Sequence, residues 1–96
     1  MNMVITTIDV KPENIDEFVH IWRAGSTDVK SFKGFKEGYL VTNRDLGKAV
    51  IVGLWKTAAD AAAFSNSSVF QTVMGKLKLL ATNQPAREMF EISAQI

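Results

Sequence analysis

The stretch Ala49-Val50-Ile51-Val52-Gly53-Leu54-Trp55-Lys56 constrains the fold more than any other, because it reads as a β-strand that is apolar on both faces. Alternation sends Ala49, Ile51 and Trp55 to one face and Val50, Val52 and Leu54 to the other. A chain of 96 residues holds enough helix to cover one face of a small sheet and little more for the second. The second face is therefore expected to meet another copy of the protein, giving a homodimer through the open sheet face.

The other elements fall into order around this strand. Met3 to Val10 alternates as a strand, with Val4, Thr6, Ile8 and Val10 on one side and Met3, Ile5, Thr7 and Asp9 on the other. Pro12 suits a first helical turn, and Glu13, Asp16 and Glu17 complement the positive end of the helix dipole. Ile15, Phe18, Val19 and Trp22 form one apolar stripe, which predicts a helix running to about Ser31 or Phe32 and broken at Gly34. Phe35 to Thr42 reads as a second strand, and Asn43-Arg44-Asp45-Leu46-Gly47 as a hairpin connection into the doubly apolar strand. Thr57-Ala58-Ala59-Asp60 is a capping-box pattern that opens a short helix through Phe64, interrupted by Ser65-Asn66-Ser67. Ser68 with Gln71 is expected to cap the next helix, whose apolar face is Val69, Phe70, Val73, Met74, Leu77 and Leu80. Gly75 inside it costs about 1 kcal/mol relative to alanine, which predicts a close backbone contact there. Asn83-Gln84-Pro85 ends that helix, and Arg87 to Ile92 reads as the last strand. The order β-α-β-β-α-β predicts an α+β ferredoxin-like sandwich, a four-stranded antiparallel sheet with helices on one face. It spans residues 1–96 as a single domain, with no repeat or low-complexity segment.

Net charge is +1 and the basic residues are scattered, so no nucleic-acid partner is expected. The densest basic patch, Lys30, Lys33 and Lys36, is followed directly by Glu37 and reads as a solvated loop. No apolar run approaches the roughly 20 residues that cross a bilayer. Met1-Asn2-Met3-Val4 lacks an export signal, so no membrane partner and a cytoplasmic location are expected.

The order of elements, Gly38-Tyr39 at the start of strand two, and Val50-Ile51-Val52-Gly53-Leu54-Trp55 leading into Thr57-Ala58-Ala59-Asp60 together resemble the antibiotic biosynthesis monooxygenase domain, a dimeric α/β barrel. Ser68-Val69-Phe70 is similar to the start of the last helix in that family. The resemblance implies a pocket in each subunit between its sheet and its helices. It also implies one of three fates: oxidation of phenols or quinols by molecular oxygen without a cofactor, heme degradation, or no established activity. In the heme-degrading branch an Asn, a Trp and an axial His are used, and Thr7, Phe64 and Met74 stand at those positions, so all three differ. The phenol-oxidising branch keeps a Trp at the end of strand three, here Trp55, while its Asn and Tyr are replaced by Ile51 and Ala61.

The residues narrow the chemistry further. The chain has no cysteine, which removes thiolate nucleophiles and Cys-ligated metals. Its one histidine, His20, lies opposite the apolar stripe and is expected to face solvent, which argues against a Ser-His-Asp triad and a zinc site. No GxGxxG or P-loop pattern supports a nucleotide or flavin. No metal or cofactor is therefore expected, and any redox chemistry draws its electrons from the substrate, a small aromatic phenol or quinol reacting with oxygen in a dry pocket. Thr7, Tyr39 and Trp55 are the expected catalytic groups: Thr7 or Tyr39 bonding the phenolate and Trp55 orienting the ring. Trp22, Phe64 and Met74 are expected to line the pocket. The alternative is a non-catalytic module of the same fold that binds a small apolar ligand or dimerises, favoured by the apolar Ile51 and Ala61.

Overall fold

The computed structural model describes residues 1–96. Its elements are β1 (Asn2–Asp9), α1 (Ile15–Gly25), β2 (Phe35–Asn43), β3 (Lys48–Trp55), α2 (Ala58–Ser65), α3 (Ser68–Lys78) and β4 (Ala86–Glu91), with 3-10 turns at Pro12–Asn14 and Thr27–Ser31. The sheet runs β2-β3-β1-β4, and every neighbouring pair is antiparallel. This is the ferredoxin-like arrangement, in which the doubly apolar β3 takes an interior position.

The register fixes the two faces of the sheet. Val4, Thr6 and Ile8 pair with Gly53, Ile51 and Ala49, and these residues look toward the helices, where Ile8 and Ala49 pack with Ile15 and Phe18 of α1 and Met74 and Leu77 of α3. A second, smaller core joins Val4 and Trp55 to Ala61 of α2, with Phe35 and Phe64 packed around it. Met3, Ile5, Thr7, Val50, Val52 and Leu54 fall on the opposite face, which no helix covers. In β2 the register slips between Phe35 and Glu37, leaving Lys36 as an extra residue. Phe35 and Gly38, three apart, therefore both look toward the helices.

Four local features differ from expectation. The first helix ends at Gly25, not near Ser31. A Cβ at Gly25 would lie 2.4 Å from Val73 Cγ2, so the close approach of two helices falls here. Ser26 then turns the chain into the separate 3-10 turn. At Gly75, where such an approach was expected, a Cβ would meet nothing within 4 Å. The cap of α3 is Ser67, one residue before the expected Ser68, and its hydroxyl accepts from the Phe70 amide at 3.2 Å. The Thr57 cap is as expected, its hydroxyl accepting from the Asp60 amide at 3.1 Å. Val10 lies beyond β1 and pairs singly with Ala81. No helix is long and apolar enough to cross a membrane.

The two glycines make a paired prediction. Gly75→Ala gains helix propensity without a clash and is expected to stabilise the fold by about 0.5–1 kcal/mol. Gly25→Ala drives a methyl group into Val73 and is expected to destabilise by about 1–3 kcal/mol. Urea unfolding of the two variants beside the parent chain measures both, and equal shifts would contradict the assignment of the close contact.

Candidate functional site

The helical layer does not close evenly on the sheet. Between the two cores lies a cavity of about 80 Å3 whose lining draws on both, including Val4, Thr6, Trp22, Ile51, Phe64 and Phe70. Its floor is open because Gly38 of β2 and Gly53 of β3 are direct cross-strand partners on the helix side. Side chains at those two positions would occupy the space. A Cβ on Gly53 would stand 3.0 Å from Trp55 Nε1, so the missing side chain also leaves the indole N–H beside the cavity.

Aromatic rings form a continuous wall. Phe35 meets Trp55 edge-on with centroids 5.4 Å apart, Trp55 meets Phe64 at 5.2 Å, and Phe64 meets Phe70 edge-on at 5.4 Å. Such pairs hold their geometry through complementary ring quadrupoles as well as through buried area. The Arg87 guanidinium ends the row, 5.4 Å from the Phe70 centroid, and donates a hydrogen bond to Ser65 Oγ. Arg87 is an exposed residue, yet packing against Phe70 removes enough water from its guanidinium to hold it below the ordinary arginine pKa. It stays charged at neutral pH.

Thr6 is the one buried polar residue. Neither its hydroxyl nor the Trp55 N–H enters a side-chain hydrogen bond. No fully enclosed side-chain nitrogen or oxygen lacks a partner, so both groups keep some accessible surface, and both residues line the cavity. No histidine or carboxylate lines it.

The structure brings together some of the expected site residues and separates others. Trp55, Trp22 and Phe64 border the cavity. Met74 belongs mainly to the larger core and borders an adjoining space of about 60 Å3. Thr7 does not share the pocket. It pairs with Val50 and Ala86 on the face away from the helices, because strand alternation gives the inward position to Thr6. Tyr39 also lies on that face, opposite Val52, and half of its surface is exposed (49%). It borders only an outer groove with Trp22, Phe35 and Glu37, and its hydroxyl donates to Glu37 Oε2 at 2.7 Å. His20 is exposed on the outer side of the helices, as expected. Sequence reasoning missed Arg87 and Ser65. Alternation along β4 was the signal for Arg87, since it pairs with Thr6 and so shares its inward face. Ser65 gave no signal, because its role depends on a strand that follows twenty residues later in the chain.

An α+β sandwich with an aromatic pocket between sheet and helices is the class that this geometry defines. The family model for antibiotic biosynthesis monooxygenase matches residues 1–76, and the chain belongs to that family. No curated protein matches it in sequence. Among solved structures it is similar to SnoaB, a cofactor-independent oxygenase from Streptomyces nogalater, with 16% identity over 99% of this chain and 95% of that one and a TM-score of 0.82. It is also similar to Rv0793 from Mycobacterium tuberculosis, with 15% identity over 98% and 96% and a TM-score of 0.83. A conserved protein from Methanosarcina mazei aligns at 14% identity over 93% and 89%, with a TM-score of 0.83. At such identities the likeness establishes the fold.

The hydrogen bond to Glu37, and then its negative charge, raise the Tyr39 pKa above the ordinary phenol value. Tyr39 is the single tyrosine, so its absorbance titration in alkali is read without overlap. Glu37→Gln removes the charge that opposes the phenolate, and the midpoint is expected to fall toward the ordinary value. An unmoved midpoint would show that Glu37 does not control it.

Proposed function

We propose that the protein is a cofactor-independent monooxygenase that oxidises a small aromatic phenol or quinol with dioxygen. The observation that carries this reading is the aromatic cavity bordered by Trp55 and Thr6, whose indole N–H and hydroxyl are both free of side-chain partners. An aromatic ring placed among Phe35, Trp55, Phe64 and Phe70 exchanges water for ring faces and edges. The indole N–H then donates to the ring oxygen and favours the phenolate over the phenol. With no side-chain base in the lining, the phenolic proton passes to water through the groove beside Trp22.

The electron balance needs nothing beyond substrate and oxygen. The phenolate transfers one electron to dioxygen, and the resulting radical pair recombines with a new carbon–oxygen bond. The ring peroxide takes a proton back from water, and the hydroperoxide so formed loses water to leave a carbonyl. For a quinol the sum is quinol plus dioxygen giving a hydroxyquinone plus water. Thr7 and Tyr39, on the far face of the sheet, have no part in this scheme, and the phenolate bond expected of them falls to Trp55.

A second copy covers the open sheet face. Tyr39, Val41 and Phe90 leave 49%, 53% and 44% of their surfaces exposed there, beside Met3, Ile5, Val52 and Leu54. An antiparallel sheet tolerates one solvated face only when that face is polar, and this one is not.

Oxygen uptake with catechols, naphthoquinols and anthrones, without added metal, tests the chemistry. Uptake above the autoxidation blank is expected. Trp55→Phe keeps a ring in the wall and removes the N–H, and is expected to lower the rate by about tenfold to a hundredfold. A full rate in that variant would remove Trp55 from the reaction, and no uptake with any substrate by folded protein would overturn the reading. Light scattering at micromolar concentration tests the second copy, with twice the chain mass expected and a stable monomer as the contrary result.

A further inference from the structure

We propose that Arg87 and Thr6 form an anion site at one end of the cavity, with Ser65 holding the guanidinium in place, and that the ring bound there carries a carboxylate. The inference rests on reading the cavity as the substrate pocket, and it names what that substrate must bear.

The placement comes from the sheet. Thr6 and Arg87 are direct partners across β1 and β4 and both look toward the helices, which sets their Cβ atoms about 5 Å apart. Thr6 offers a buried hydroxyl. Arg87 is held from two sides, by the Phe70 ring and by Ser65 Oγ. These contacts orient the guanidinium, but neither neutralises it. The one ion pair in the protein joins Arg44 to Asp16, far along the chain, so Arg87 has no carboxylate partner. Its neighbour Glu88 pairs with Ile5 and looks to the other face of the sheet. Just outside, the space that Thr6 and Arg87 share with Gln71, Lys78 and Gln84 contains a second cation and no acid.

A planar guanidinium with unused N–H groups and no counter-charge is the best match for a carboxylate. The ligand is the group that completes it. Across the same cavity the Trp55 N–H remains for a ring hydroxyl. The two polar ends, with aromatic wall between them, fit a hydroxylated aromatic acid.

Anaerobic titration calorimetry separates charge from ring, using 2,5-dihydroxybenzoate, its methyl ester and hydroquinone. The acid is expected to bind at least tenfold more tightly than the ester to the parent protein. Arg87→Gln is expected to erase that difference, and Arg87→Lys, which keeps the charge but loses the planar fork, to retain part of it. Equal binding of acid and ester, a preference that survives Arg87→Gln, or no binding of the acid at millimolar concentration would each overturn the proposal. Oxygen uptake is read separately. A preference for the acid without uptake on any quinol overturns the monooxygenase reading alone, and uptake on neutral quinols without that preference overturns the anion site alone.

Discussion

Two facing glycines decide where this protein can hold anything. Gly38 and Gly53 meet across the central strand pair on the side that the helices cover. Without side chains there, the helical layer spans the sheet instead of settling on it, and the hydrophobic core divides into two. Everything of chemical interest follows from that division. The aromatic row lines the gap, the indole nitrogen of Trp55 looks across it, and the single buried hydroxyl of the chain belongs to its wall.

The gap is apolar along its length and polar at its ends, which is an economical way to orient a flat molecule. Ring contacts supply attraction without direction in the plane, while hydrogen-bond donors at the ends choose among rotations of the ring. Tyr39 and its partner Glu37 stand outside this arrangement, on the far face, where they concern whatever covers the sheet and not what enters the cavity.

Much of the fold was legible because short-range physics dictates it. The alternation in β3 and Thr57 as a cap each rest on residues a few positions apart, whereas Gly34, with its left-handed φ of +82°, turns the chain into β2 and does not end the first helix, which stops at Gly25. The failures have a common cause. Gly25 and Gly75 look alike in a helical pattern, and only the packing of α1 on α3 tells which one must stay bare. Thr6 and Thr7 differ by one position, so a family resemblance can favour one while strand parity turns the other inward. Arg87 reads as an ordinary charge on an edge strand until the register pairs it with Thr6.

The extra residue Lys36 in β2 carries a further implication. Strict alternation would point Phe35 and Gly38 to opposite sides of the strand, and the bulge lets both face the helices. The aromatic row therefore begins with Phe35 only because the strand is one residue longer than its partner requires. Shortening the chain there by a single residue would keep the hairpin and its hydrogen bonds but turn the first ring of the wall outward. Relatives that differ in length at this point are thus expected to differ in what they admit, even where every residue around the cavity is the same.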